Sequence, residues 1–285
     1  METIKNQLIN TIIMVKPDKI IKEYEKYCEK YDIPIEHLVE IISDLKVIPM
    51  IRGKAFEFTV EDELTEILPQ KKWKISHPRI NAQPTIGDVD VKVTRLSDKK
   101  KIKVECKLSG KGSFKIKNDF IGFKVKCMRS RTVNDNVMAT ALAKRYKINR
   151  NLILLHRDNY REDDFDFVVT SLGNSLWKTE KNEYKFNGNE EQHKKLSELF
   201  PNHFKSFKNF KEESFNFYLF ARSSYIKCKK NNNIKCVRKK CIKSEFSENC
   251  GFIPNYPIVN LKEVVEGKSP WKLLSCIEEE FEKFL

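Results

Sequence analysis

Two carboxylates and one amine stand at a spacing that suits metal-dependent chemistry. Fourteen residues separate Asp90 from Glu105, and Lys107 follows that glutamate two positions later. Carboxylates are ligands that Mg²⁺ prefers, and a bound Mg²⁺ polarises a phosphate and acidifies a water molecule. A lysine beside them can orient that water or stabilise developing negative charge. The three residues therefore match the needs of phosphodiester hydrolysis.

An alternation of apolar and polar residues predicts the strands that would hold these side chains. Residues 88–96 and 101–108 both alternate, and the polar link between them makes the pair a hairpin. If the hairpin closes symmetrically about that link, Asp90 lies opposite Lys107 and diagonal to Glu105. Opposed side chains in such a pair are about 5 Å apart and diagonal ones about 7 Å. We therefore expect the three groups to converge on the polar face.

A third carboxylate is expected from a helix that precedes the hairpin. Residues 55–68 carry apolar side chains at helical spacing, and Pro69 ends the helix. Glu57 on this helix is a candidate to complete a metal site or to orient a metal-bound water. Glu61 and Glu63 compete for that role, and Glu61 can share the face of Glu57 because it lies one turn further along.

The hairpin resembles the PD-(D/E)XK signature of restriction endonucleases and related DNA-cleaving enzymes. Asp90 and the Glu-x-Lys sequence at residues 105–107 match its core. Residues 87–90 look like a Gly-Glu-x-Asp variant, in which Asp88 keeps only a supporting place. Many members add a helical pattern Gly-x-x-Phe-Glu-x-x-Val, which is matched here by Gly53, Phe56, Glu57 and Val60. The resemblance covers residues 53–157 and agrees with the predicted order of helix, hairpin, helix and strand.

This resemblance implies a Mg²⁺-dependent Type II restriction endonuclease, which cuts double-stranded DNA at a specific sequence and leaves 5′-phosphate and 3′-hydroxyl ends. Asp90, Glu105 and Glu57 would then bind the metal, and Lys107 would be the catalytic lysine. The resemblance also implies a homodimer. A cognate DNA methyltransferase is expected in the host, although not in a stable complex with this chain.

Three other interpretations of the hairpin stay open. A repair nuclease or junction resolvase would use the same core but read the shape of DNA. A DNA-binding module with an inactive site would have no catalysis, although the intact Asp90, Glu105 and Lys107 argue against it. Surface strands also commonly alternate charges, so the polar face could be solvated without any chemistry.

The charge of the chain favours a polyanionic partner. Lys and Arg number 54 against 40 Asp and Glu, which gives a net charge of +14. A field of that sign attracts nucleic acid, and we expect double-stranded DNA as the partner. The alternative is a lysine-rich composition with solvated faces.

Two segments are candidates for contact with DNA. The basic segment, residues 227–243, contains eight Lys or Arg and no acidic residue, which indicates either an exposed loop along phosphates or a merely solvated one. Its candidate contacts are Lys229, Lys230, Arg238, Lys239 and Lys240. A polar cluster before a predicted helix offers Arg129, Arg131 and Asn134 to bases in the major groove. Asn134 or Asp135 could equally cap that helix.

The spacing of the cysteines and histidines does not indicate a catalytic role for any of them. Four cysteines lie in and just after the basic segment, namely Cys228, Cys236, Cys241 and Cys250. Their intervals of seven, four and eight residues fit no close-paired zinc pattern, so zinc is disfavoured but left open. The histidines are isolated along the chain, at His37, His77, His156, His193 and His203.

The pattern of elements predicts an α/β fold with a mixed β-sheet flanked by helices, a restriction-endonuclease-like core and an N-terminal helical subdomain. We expect residues 1–50 to form that subdomain, residues 51–175 the nuclease core, and residues 176–285 a region for DNA recognition and dimerisation. The apolar run 152–156 is predicted as a strand buried on both faces. Residues 271–285 are predicted as a helix.

The composition also bears on the compartment. A chain of 285 residues with 40% hydrophobic residues can bury a core without disulfides. No stretch approaches the roughly 18 apolar residues of a membrane span, and the short apolar run near the N-terminus has no small-residue cleavage site after it. We therefore expect a cytoplasmic protein with reduced cysteines and no membrane partner.

Overall fold

The computed structural model describes residues 17–78, 89–129, 132–133, 135–181, 183–243 and 249–285. Three residues with an expected role, Asp88, Arg131 and Asn134, lie outside this description. The chain forms two compact units, Met1–Arg52 and Gly53–Leu285. Across the described ranges, no helix combines the length and the apolarity that crossing a membrane requires.

In the first unit, the described residues form helices α1 (Pro17–Lys30) and α2 (Leu38–Ser43). Pro17 occupies the first position of α1, where the missing N–H has no helical partner to lose. Asp18 in the first turn and Lys30 in the last turn complement the helix dipole.

The remaining elements follow in chain order. Up to the middle of the chain they are α3 (Ile48–Ile67), β1 (Trp73–Ser76), β2 (Val91–Arg95), β3 (Lys101–Cys106), β4 (Lys115–Lys117), β5 (Phe120–Lys124), α4 (Asn136–Tyr146), α5 (Arg150–Leu155) and β6 (Phe167–Ser171). Then come β7 (Trp177–Glu180), β8 (Glu183–Phe186), α6 (Glu190–Leu199), α7 (Phe210–Phe215), β9 (Tyr218–Arg222), α8 (Ser223–Ile226), α9 (Lys239–Ile242), β10 (Ile258–Asn260), α10 (Leu261–Val265), β11 (Trp271–Leu273) and α11 (Ile277–Phe284).

A six-stranded mixed sheet organises the second unit, in the order β1-β2-β3-β6-β9-β11. Strands β3 and β6 are parallel, and the other neighbouring pairs are antiparallel. The predicted α/β fold with a mixed, helix-flanked sheet is confirmed. The sheet takes strands from both sides of residue 175, since β9 and β11 extend it beyond β6.

One face of the sheet is covered by the helices α3 and α11. Phe56, Val60 and Leu64 of α3 are fully buried and pack in the same cluster as Val104 of β3 and Phe281 of α11. Three of these residues recur at i, i+4 and i+8, which is the spacing of one helix face. This layer fixes the hairpin β2–β3 against the helix that carries Glu57.

The other face packs against a second, smaller sheet. Side chains alternate along a strand, so Val168 of β6 and Leu219 of β9 point away from α3 and join Ile121 and Phe123 of β5 in a separate core cluster. Strand β5 lies between β4 and β10 in a three-stranded sheet. The sheet carrying the hairpin is thus covered on both sides.

A third, smaller core lies around α4 and α5. Leu142 of α4 and Leu152 of α5 pack there with Phe252. The same cluster contains the four cysteines that lie in or just after the basic segment, and all four are buried: Cys228, Cys236, Cys241 and Cys250.

Two predicted elements were wrong. Residues 152–156 belong largely to helix α5, which Asn149 caps by accepting a hydrogen bond from the N–H of Asn151 at 2.8 Å. A short apolar run fits a buried helix as well as a buried strand. Residues 271–285 begin with strand β11, and helix α11 starts only at Ile277.

Candidate active site

Asp90 and Glu105 lie at the same end of the β2–β3 hairpin. Val91 pairs with Val104 across the hairpin, so the same register, continued by one residue, sets Asp90 opposite Glu105. The main chain of Cys106 closes the contact, since its N–H donates to Oδ2 of Asp90 at 2.8 Å. The two carboxylates are thus brought together by adjacent strands.

The expected register of this hairpin was wrong by two residues. Asp90 does not lie opposite Lys107, because the turn starts one residue earlier than the polar link suggests. The N–H of Arg95 donates to the carbonyl oxygen of Lys100 at 2.9 Å, which closes the loop. Lys99 supports this tight turn with a left-handed φ of 60°. The faces are unaffected, since a shift of two preserves the alternation.

The Asp90 carboxyl is held in an environment that disfavours its charge. Burial, and then the neighbouring Glu105, raise its pKa to about 7, while Lys107 acts in the opposite direction. Glu57 also raises this pKa, so it lies within electrostatic range of Asp90. A nearby cation would favour the charged form of a carboxyl in such surroundings.

Glu105 is almost completely buried, with 4% of its surface exposed. Its Oε1 lies 2.5 Å from Nζ of Lys107 and accepts a hydrogen bond from the hydroxyl of Tyr160 at 2.8 Å. Both partners are donors, so together they fix the orientation of the Glu105 side chain.

Lys107 stays charged despite its position. Burial lowers its pKa, but Glu105, Tyr160 and Asp90 raise it more, so the pKa lies well above its ordinary value. The residue follows the end of β3, and its N–H donates to the carbonyl oxygen of Val169 at 2.9 Å. This contact to β6 fixes the backbone from which the amine reaches Glu105.

Tyr160 is a site residue that the sequence did not indicate. Its ring lies under two cations, with Nζ of Lys107 at 5.3 Å and Cζ of Arg129 at 5.2 Å from the ring centre. Burial, followed by the charge of Glu105, raises the pKa of its hydroxyl. No motif surrounds it, and its 55-residue separation from Glu105 leaves no local signal.

The helical carboxylates of α3 meet a histidine at the end of β1. Oε2 of Glu57 lies 2.5 Å from Nζ of Lys54 and 3.6 Å from Nε2 of His77, and Oε2 of Glu61 lies 3.8 Å from Nδ1 of that histidine. Glu57 is the more buried of the two, with 12% of its side chain exposed against 27% for Glu61. Glu63 instead acts on Tyr218, whose pKa it raises after burial does so.

The residues expected to contact DNA fall into two groups. Exposed side chains of the basic segment include Lys229, Lys230, Lys239 and Lys240. The guanidinium of Arg238 instead pairs with Asp158 and donates to Oδ1 of Asn159 at 3.1 Å. These four lysines are therefore exposed to solvent, whereas Lys227 pairs with Glu162 and Arg238 with Asp158 within the fold.

Arg129 is also engaged within the protein. Its guanidinium pairs with Asp164, and its Nε donates to the carbonyl oxygen of Asn159 at 2.8 Å. Only 18% of its side chain is exposed. Arg129 thus positions the ring of Tyr160 from within the fold.

Asp135, from the same polar cluster, caps α4 by accepting a hydrogen bond from the N–H of Met138. Capping was the alternative interpretation of this cluster.

The donor set suits a hard divalent cation. Asp90 and Glu105 offer carboxylate oxygens, the ligands typical of Mg²⁺. Burial and the negative charge of Glu105 raise the pKa of Asp90. A divalent cation bound between the two carboxylates would offset both the lost hydration and the repulsion. Glu57 could contribute a third carboxylate from α3.

Comparison with models of protein families, with curated proteins and with solved structures finds no match to this chain.

Proposed function

We propose that this chain is a Mg²⁺-dependent endonuclease that hydrolyses phosphodiester bonds in double-stranded DNA, and that it acts as a Type II restriction enzyme. The observation that carries the proposal is the meeting of Asp90, Glu105 and Lys107 at one end of two paired strands. A buried and a half-buried carboxylate with a charged amine form a set that a purely structural hairpin does not need.

The order of elements supports a restriction-endonuclease-like core. Helix α3, the hairpin β2–β3, helices α4 and α5, and strand β6 occur in the chain order that the PD-(D/E)XK resemblance implies, with β1 inserted before the hairpin and β4 and β5 inserted after it. Strand β6 then pairs in parallel with β3, the strand that carries Glu105.

The site residues divide the work of hydrolysis. Asp90 and Glu105, with Glu57, would hold Mg²⁺, which when bound supplies a Lewis acid and an acidified water. Lys107 keeps its proton and places positive charge where the phosphate develops negative charge. The N–H of Cys106 and the hydroxyl of Tyr160 fix the two carboxylates, so that little reorganisation accompanies the reaction.

The basic segment supplies affinity in this proposal, because its exposed lysines can neutralise phosphates without regard to sequence. Cutting both strands of a duplex calls for two such sites, and we propose a homodimer for that reason. A cognate DNA methyltransferase would protect the host DNA.

Incubation of the full chain with plasmid DNA, with Mg²⁺ or with EDTA, tests the proposal. We expect Mg²⁺-dependent fragments whose sequenced ends share one recognition sequence and carry 5′-phosphates. Cleavage of four-way junctions alone would instead indicate a resolvase. If neither plasmid nor junction is cut at any Mg²⁺ concentration, the chain is a binding module and the proposed function is wrong.

A further inference from the structure

Three cysteines and one histidine, none of them a residue of the proposed active site, come together in the fold. The Sγ atoms of Cys236, Cys241 and Cys250 and a ring nitrogen of His156 all lie within 4.8 Å of one another, and all four residues are buried. His156 ends helix α5, and Cys241 lies in α9. No disulfide joins any of the cysteines, which all lie in the described residues.

We propose that Cys236, Cys241, Cys250 and His156 bind one structural Zn²⁺ ion. Three thiolates and an imidazole form one of the usual donor sets of tetrahedral zinc. With Zn–S bonds of about 2.3 Å and Zn–N bonds of about 2.0–2.1 Å, a sulfur and a nitrogen on a tetrahedral zinc ion lie about 3.6 Å apart. Sγ of Cys236 lies 3.8 Å from Nε2 of His156, which is close to that separation.

The hydrogen bonds of His156 prepare Nε2 to act as a ligand. Asn159 donates its Nδ2 to the carbonyl oxygen of Ile253 and to Oδ1 of Asn255, both at 2.7 Å. Its Oδ1 is therefore the acceptor that faces Nδ1 of His156, at 3.3 Å. The proton of the neutral imidazole is thus placed on Nδ1, and the lone pair of Nε2 points to the cysteines.

A second contact holds the imidazole plane. The ring of His156 stacks on Phe252, with centroids 4.3 Å apart and planes 10° from parallel. A zinc-bound histidine is commonly fixed by such outer contacts, which reduce the reorganisation needed for binding.

The thiol of Cys236 also lies in surroundings typical of a bound thiolate. The N–H of Arg238, two residues later, points to its Sγ at 3.4 Å. The guanidinium of the same arginine pairs with Asp158, which in turn accepts from Nδ2 of Asn255 at 2.7 Å. These bonds tie the loop that carries Cys236 to the residues that orient His156.

The site is of the closed, structural type. Four protein ligands complete the coordination of zinc and leave no position for a substrate. The ligands come from α5 and from three points between residues 236 and 250, so one ion would join segments that are distant in sequence. Such a link stabilises the small core around α4 and α5 and fixes the course of the basic segment.

Metal analysis of the full chain, purified under reducing conditions, tests this proposal. We expect one Zn²⁺ per chain, and after exchange into Co²⁺ the absorption of a tetrahedral site with thiolate ligands. Cys236→Ser and Cys241→Ser should lose the stoichiometric metal. Asp90→Asn should retain it, which separates this site from the proposed nuclease site.

A neighbouring cysteine provides the matched control. Cys228 is buried in the same small core, with 1% of its surface exposed, but is not one of the four clustered residues. Cys228→Ser should keep one zinc ion and the cobalt spectrum, and loss of the metal from this variant would overturn the ligand assignment. If the unmodified chain binds neither Zn²⁺ nor Co²⁺ in stoichiometric amount, the zinc site itself is wrong, whether or not the serine variants fold.

Discussion

Replacing a single carboxylate of the candidate active site should reduce the cleavage of DNA without weakening the binding of DNA. Asp90→Asn keeps the acceptor for the N–H of Cys106 but removes the charge that would hold Mg²⁺. We expect cleavage to fall by more than about 100-fold, since even residues beyond the metal ligands commonly contribute 10 to 100-fold. DNA affinity, measured by gel shift without metal, should be unchanged or higher because a negative charge is lost.

The same hairpin offers a control for this change. Asp98 lies in its turn and pairs with Arg95 at 2.6 Å, so Asp98→Asn removes one carboxylate far from Glu105. Plasmid cleavage by this variant should stay normal. Equal activity of the Asp90 and Asp98 variants would place the metal site elsewhere.

Tyr160 should matter through Glu105 rather than through contact with DNA. Tyr160→Phe removes the hydroxyl that donates to Oε1 of Glu105 at 2.8 Å but keeps the ring. We expect Mg²⁺ affinity or activity to fall by about 10 to 100-fold, measured as the Mg²⁺ dependence of cleavage. Tyr225→Phe, at a ring that is 47% exposed, is the control. A normal Mg²⁺ dependence would leave Tyr160 a packing residue beside Phe165.

The half-buried Asp90 makes the stability of the metal-free protein depend on pH. Its pKa rises from 3.8 to about 7 on folding, through burial and then Glu105, so the folded chain binds more protons than the unfolded chain between these values. The free energy of unfolding should therefore fall as the pH rises from about 4 to about 7, by at most about 1.4 kcal/mol per pH unit.

Urea unfolding in EDTA at several pH values in this window measures the effect. Asp90→Asn should flatten the pH dependence, because the amide does not titrate. The same slope in both proteins would show that other groups cause it.

At the residue scale, what could be predicted depended on sequence distance. Asp90, Glu105 and Lys107 share a face because strands alternate with a period of two, which sequence shows directly. Tyr160 and His156 meet their partners only through the packed fold. The expectation against zinc took the cysteine intervals together, although the four residues between Cys236 and Cys241 alone lie within the usual range for a ligand pair. The histidine lies 80 residues before Cys236, so its part in the cluster left no local signal.

At the element scale, the pairing of β5 with β10 depends on one glycine. A Cβ on Gly122 would lie 1.9 Å from the carbonyl oxygen of Val259, so Gly122→Ala must displace a backbone. We expect a loss of about 1 to 3 kcal/mol in the free energy of unfolding, measured by urea denaturation.

Gly53 is the matched control for that substitution. It lies in helix α3, and an added Cβ would meet nothing within 4 Å. Gly53→Ala should raise the free energy of unfolding by about 1 kcal/mol, because alanine favours helix. Two alanine variants of similar stability would contradict the close approach at Gly122.

The two wrong elements have different physical causes. Helix α5 has six residues, too few to show a helical period, and its apolar run equally suits a strand. The first residues of 271–285 form β11 because β9 offers them an edge. Longer periodic elements such as α3 could be predicted, since their pattern is repeated over several turns.

At the scale of the whole molecule, the basic segment should account for sequence-independent affinity. Replacing Lys229, Lys230, Lys239 and Lys240 by Gln should weaken binding to specific and unrelated DNA alike. The slope of log affinity against log salt should flatten by about 3 to 4 units if all four contact phosphates, because each contact releases counterions. Binding titrations at several salt concentrations measure this slope.

A second fourfold variant removes the same charge elsewhere. Lys185, Lys195, Lys268 and Lys283 each lie beside a glutamate, so their replacement by Gln should change the slope little. Equal slopes for the two variants would show that total charge, rather than the basic segment, attracts DNA.

The position of β6 has a consequence for synthesis of the protein. All five residues of β6 are buried, and the strand lies between β3 and β9. Strand β9 begins at residue 218, 47 residues after β6 ends at residue 171. On the ribosome, β6 therefore presents an open hydrogen-bonding edge until those residues emerge, and such edges invite pairing with other chains. Asp90, which precedes β2, and Glu105 on β3 are translated early, but the sheet that holds them closes late. A nascent chain therefore carries the residues of the site before it has their geometry.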